Sequence, residues 1–61
     1  MRISATEVVR DEGTMIVFAG IDDDGINRTF AADRRAAGSI LAAMSRGHAP
    51  VCDVPRWALL R

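Results

Sequence analysis

Apolar and polar side chains alternate along the first half of the chain and then change period. Over residues 3–10, Ile3, Ala5 and Val9 fall on one face of an extended segment and Ser4, Thr6 and Arg10 on the other, with Glu7 and Val8 interrupting the alternation. A period of two marks a half-buried strand. Asp11-Glu12-Gly13 follows as a turn, with glycine where a hairpin connection wants positive φ. Residues 14–21 are apolar on both faces, Met15, Val17, Ala19 and Ile21 on one and Ile16 and Phe18 on the other, as in a central strand covered twice. After Asp22-Asp23-Asp24-Gly25 the alternation resumes over 26–31, with Ile26, Arg28 and Phe30 opposed to Asn27 and Thr29. An antiparallel meander of three strands is expected.

The period then lengthens. Ala37, Ile40, Leu41 and Met44 recur at i, i+3, i+4 and i+7, predicting a helix over 34–46 with one buried stripe. Asp33 is placed as its N-cap, because a short carboxylate accepts from the free amides of the first turn. Gly47 is placed to end it in a left-handed conformation, with Pro50 beyond as a stop. Gly38 costs about 1 kcal/mol relative to alanine inside a helix, either tolerated or there to admit another backbone. Residues 51–54 read as a short edge strand, since Pro55 cannot donate to a ladder. Residues 55–61 read as an extended or one-turn segment docked on an apolar surface. The expected fold is α+β, one domain over 1–61: a small antiparallel sheet of three to four strands, ordered β-β-β-α-β along the chain, with one helix packed on one face.

A chain of 61 residues buries only about 60% of the surface its unfolded form exposes, and the single Cys52 excludes an intrachain disulfide. One helix covers one face. On this pattern the other face carries Ile16, Phe18 and Val8, and the tail adds Trp57, Leu59 and Leu60. Exposed together they would form a larger apolar patch than monomers carry, and burying each Phe or Leu is worth about 1.5–3 kcal/mol. Homo-oligomerisation is therefore expected, by sheet-face packing or exchange of the C-terminal segment. Its interface candidates are Ile16, Phe18, Trp57, Leu59 and Leu60, with Arg56 on the polar rim.

Eight basic and eight acidic residues cancel, leaving no global field to hold nucleic acid or anionic lipid. Of three aromatics, two lie in strands and only Trp57 could stack a base, which also counts against nucleic acid. All eight basic residues are arginine. GC-rich codon usage accounts for that bias, and the planar guanidinium matters functionally only where arginines cluster. No run of about 18 apolar residues could span a bilayer. The segment MRISATEVVR lacks an apolar run of signal-peptide length, and with a lone cysteine this points to a cytoplasmic location.

Candidate chemistry is sparse. The three aspartates of GIDDDGI are consecutive, whereas an EF-hand loop alternates its carboxylates, so a solvated hairpin turn is expected in place of a metal site. His48 and Cys52 could supply two of the four ligands of a structural zinc, but only a site shared between subunits, with Asp53 contributing, would complete the set, so a helix-end histidine beside a partly buried cysteine is expected. Ser39 and Ser45 have no base beside them, no nucleophile elbow is present, and a pocket of roughly 300 Å³ looks too large for one subunit. No catalytic residue, metal or cofactor is expected.

One arrangement runs against local physics. Arg34 and Arg35 place positive charge in the first helical turn, where the dipole disfavours it. Asp33 could offset this, or an anion could bind there with Arg28 joining from the adjacent strand. The expected function is that of a non-catalytic interaction protein, homo-oligomeric, with a protein partner. The alternative is an oligomeric binder of a nucleotide or phosphate through Arg28, Arg34 and Arg35, and a weaker one is a nucleic-acid accessory protein.

Overall fold

A computed structural model describes residues 1–60; Arg61, the last position of the expected docking segment, lies outside them. The chain is α+β. Strands β1 (Arg2–Asp11), β2 (Met15–Asp22) and β3 (Asn27–Asp33) form the meander, helix α1 spans Arg34–Ser45, and β4 (Val51–Asp53) follows. A single 3-10 turn (Arg56–Ala58) then leads into β5 (Leu59–Leu60). All pairings are antiparallel, in the order β4-β1-β2-β3-β5.

The sheet thus has five strands where three to four were expected. β5 is two residues long and pairs only Thr29 with Leu60 and Phe30 with Leu59. A segment so short cannot display a period, so its strand character comes from the partner edge it meets. Residues 51–60 form β4 on one edge of the sheet and β5 on the other. Residues 54–58 make the crossing, burying Val54 and Ala58 against the helix-side core.

The broken alternation at Glu7-Val8 has a structural cause. The β1–β2 register slips between Ala5 and Glu7 and again between Val8 and Arg10, so Thr6 and Val9 are extra residues of two bulges that kink and twist the strand. Before the bulges Ile3 and Ala5 are fully buried; after them every β1 residue is exposed. At Gly20, opposite Ala5, the strands close up. A Cβ there would run into the Ser4 carbonyl oxygen and lie 2.6 Å from Ile3 Cγ2.

Which face of β2 meets the helix is the main correction. Ile16 and Phe18, expected on the uncovered face, lie under α1 with Ile3, Ala5, Phe30, Ala37, Ile40, Val54 and Ala58. Phe18 and Phe30 are register partners whose rings stack with centroids 5.6 Å apart. Alternation shows that β2 has two apolar faces but not which one a helix will choose. The larger side chains fill the wider gap between sheet and helix. Val17, on the opposite face, is nonetheless 1% exposed, flanked in register by Arg10 and Ala31.

The helix ends follow local chemistry. Asp33 caps the N-terminus, accepting from Ala36 N–H at 2.8 Å. At the C-terminus Gly47 has φ 82°, its N–H bonds Met44 O, and His48 N–H bonds Ala43 O, the paired closure of a Schellman motif. Gly38 has open space where a Cβ would go, so no backbone approaches it.

Candidate functional site

The three arginines proposed as an anion site are not brought together. Arg28 sits at the start of β3, in register with Gly20, whereas Arg34 follows the far end of that strand, where Asp33 pairs with Met15. The five residue steps from Arg28 to Asp33 span roughly 17 Å at about 3.3 Å per residue. Two of the three guanidinium groups are also engaged. Arg28 Nε donates to Asp22 Oδ2 at 2.9 Å. Arg34 Nη1 donates to both carboxylate oxygens of Asp11, at 2.9 and 3.1 Å, and to the Gly13 carbonyl at 2.7 Å. The first-turn cation that opposed the dipole is thereby a tie from the helix start to the β1–β2 hairpin. Arg35 is exposed and makes no ion pair among the described residues.

GIDDDGI is a hairpin tip organised by its first aspartate. Asp22 is 8% exposed. Its Oδ1 accepts from Asp24 N–H and Ile26 N–H, each at 2.9 Å, while Oδ2 accepts from Arg28. Gly25 takes φ 77° and its N–H donates to Asp22 O, so a type I turn closes on a left-handed glycine. The Arg28 hydrogen bond, followed by that of Ile26, holds the Asp22 carboxyl below the usual range. Both oxygens accept from donors of the turn and of β3, so the Asp22 carboxylate is committed to organising the hairpin. Among the described residues no group of three or more His, Cys, Asp or Glu is placed to hold a metal. Cys52 is half-buried, and its thiol is pushed up first by burial and then by the charge of Asp53. It is a thiol at neutral pH, without the thiolate character of a nucleophile.

The five interface candidates separate into three environments. Ile16 and Phe18 are core residues, 6% and 0% exposed, closed to any partner of the folded chain. Leu59 is half-buried against that core on the Phe30 side, while Leu60 pairs with Thr29, points to the opposite face and is 39% exposed. Trp57 is 80% exposed. In a one-turn 3-10 helix the buried Ala58 and the preceding Val54 face the core, which leaves Trp57 to stand outward.

Beside Trp57 lies an open cleft of about 420 Å³, larger than a chain of this size was expected to hold. Its walls are the N-cap and first turns of α1 (Asp33, Ala36, Ile40), the end of β3 (Phe30, Ala31, Ala32), and the end of β4 with the crossing segment (Cys52 to Pro55, with Trp57 and Ala58). The cleft exists because the crossing presents only small or slender side chains to the helix, which cannot fill the angle between helix and strand. Beyond Phe30 the β5 ladder does not continue among the described residues, and the 3-10 turn lies against β3 in its place. The lining is mostly apolar. Its ionisable groups are Asp33, committed to the helix cap, together with Cys52 and the exposed Asp53. No base stands beside a nucleophile there, so the cleft is equipped to accept an apolar group.

A second, shallower and more polar hollow of about 550 Å³ lies on the other face, lined by Thr6, Glu7, Ala19, Asn27, Arg28, Thr29 and Leu60. Both threonine hydroxyls there already donate to backbone carbonyls, of Ala19 and Leu60. No helix is long and apolar enough to cross a membrane among the described residues. Comparison with protein-family models, with curated proteins and with solved structures found no match.

The composite cleft was not readable in the sequence, which does not bring residues 30–40 against 52–58. Trp57 itself carried a signal: the one tryptophan of the chain stands between Arg56 and the small Ala58, just after a proline that stops β4.

Proposed function

We propose that the protein is a small non-catalytic interaction module whose contact face is the Trp57 cleft, and that it acts by taking up an apolar side chain of another polypeptide. The observation that carries this reading is the pairing of an 80% exposed tryptophan with an apolar cleft of about 420 Å³ at its side. Tryptophan is among the residues in which interface energy concentrates, and an aromatic side chain removes 150–250 Å² from water when it is covered, on the order of several kcal/mol. Anion binding through Arg28, Arg34 and Arg35 has less support, because Arg28 lies apart from the other two and Arg28 and Arg34 are each paired with an aspartate.

The test is amide NMR on the labelled protein, with itself over a concentration series and with peptides carrying single aromatic or leucine anchors. Shifts centred on Ala31, Ala36, Ile40, Val54 and Ala58 are expected. Binding confined to the opposite face, or no response to any polypeptide at millimolar concentration, would remove the proposal. A shift at Arg34 and Arg35 with nucleotide or phosphate would favour the anion alternative.

A further inference from the structure

Building on the contact face just proposed, we infer that the occupant of the cleft is the Trp57 side chain of a second copy of this chain, in a two-fold symmetric dimer where each copy both gives and receives an indole. The face carries a knob and a hole side by side: Trp57 rises from the rim of the cleft it helps to line. A knob next to a hole is what an isologous contact requires, because the same patch must meet itself and residue i touches j while j touches i. A partner of unrelated shape would need a cavity for Trp57 as well as a projection for the cleft; a second copy has both by construction.

Charge gives the same answer. Asp33 and Asp53 border the cleft and Arg56 precedes Trp57. Arg56 and Asp53 are exposed and form no ion pair among the described residues. A rim holding both signs is self-complementary across a two-fold axis, where Arg56 of each copy meets the acidic side of the other. A chain with eight charges of each sign also has no net repulsion to overcome on pairing. The two tryptophans alone would remove about 300–500 Å², and the flanking rim and cleft walls extend the contact toward the 1,200–2,000 Å² of stable interfaces.

The experiment is sedimentation of the full chain from about 1 to 500 μM, read beside the emission of Trp57, the only tryptophan of the chain. The expected result is a species of twice the 6.6 kDa chain mass, with emission moving to the blue along the same concentration curve, since the indole leaves water when the dimer forms. Trp57→Ala should weaken dimerisation by at least about 30-fold, the tenfold-per-1.4-kcal/mol conversion of a hot-spot loss of about 2 kcal/mol or more. Arg56→Asp and Asp53→Arg should each weaken it as well. Mixing those two variants should restore dimers, because each supplies the charge that the other has reversed. Circular dichroism on each variant separates lost pairing from lost fold.

A monomer at 500 μM overturns the second-copy inference. The interaction reading then survives only if the anchor peptides still shift the cleft amides. A dimer that Trp57→Ala leaves intact also overturns the second-copy inference, because assembly would then use another surface, and the anchor peptides again decide the interaction reading.

Discussion

The stacked phenylalanines under α1 and the cleft beside Trp57 lie side by side along the same helix, yet one is closed and the other open. Phe18 and Phe30 are covered because they lie on the helix face of the sheet, where Ala37 and Ile40 share their core. A turn further toward the β3 edge the cover is the 54–58 crossing. That segment brings Val54 and Ala58 inward but turns its one large apolar side chain out. The difference lies in backbone direction and not in hydrophobicity: tryptophan is no less apolar than what the core takes in. In a chain this short a second layer is completed only where an element of a full three turns lies on the sheet.

The contrast can be broken most strongly from the closed side. Phe18→Ala should cost about 3–5 kcal/mol in urea unfolding, as for other buried aromatics. A loss below about 1 kcal/mol would mean that the core is on the other face of β2. Gly20→Ala comes next. With the Ser4 carbonyl and Ile3 in the way, the strands must separate, at a cost of about 1–3 kcal/mol or more, measurable by thermal denaturation.

Acid tests the two hairpin turns at either end of the meander. The carboxyls of Asp22, held down by Arg28 and the Ile26 amide, and of Asp11, held down by the Gly13 amide and then Arg34, bind protons more weakly in the folded chain. Their contribution is therefore complete above about pH 4 and is lost as pH falls through the depressed folded values. Asp22→Asn should flatten the melting temperature against pH below about pH 4, and an unchanged slope would remove Asp22 from the acid response.

Smaller effects belong to the open side of the molecule. Gly38→Ala enters free space on the helix and should stabilise by about 1 kcal/mol. No gain would mean that the helix is constrained at that point. Trp57→Ala, at concentrations where the chain is monomeric, should change unfolding free energy by no more than about 0.5 kcal/mol, as for other surface positions. A loss of several kcal/mol would show that the indole folds back into its own cleft.

Most of the local structure was legible in the sequence. Period two over β1 to β3, the turns at Gly13 and Gly25, the i, i+3, i+4, i+7 stripe of α1, the Asp33 cap and the Gly47 stop all depend on neighbours within a few residues, which the chain order itself supplies. Even the bulges left a trace, in the broken alternation at Glu7-Val8. Of the candidate site, Trp57 was visible as a residue, but its cleft was not.

Tertiary structure decided what depends on contacts distant in the chain. The face of β2 that meets the helix was set by how far the sheet and helix stand apart, which left Ile16 and Phe18 inside and separated them from Trp57. The fifth strand was set by the edge that Leu59 and Leu60 reach after crossing the sheet, since two residues carry no period. Arg28 and Arg34 came to lie at opposite ends of β3 because an extended backbone separates what the sequence keeps six residues apart. A pattern of apolar positions states which residues must leave water, whereas the layers that receive them, and the gap left over, follow from the path of the whole chain.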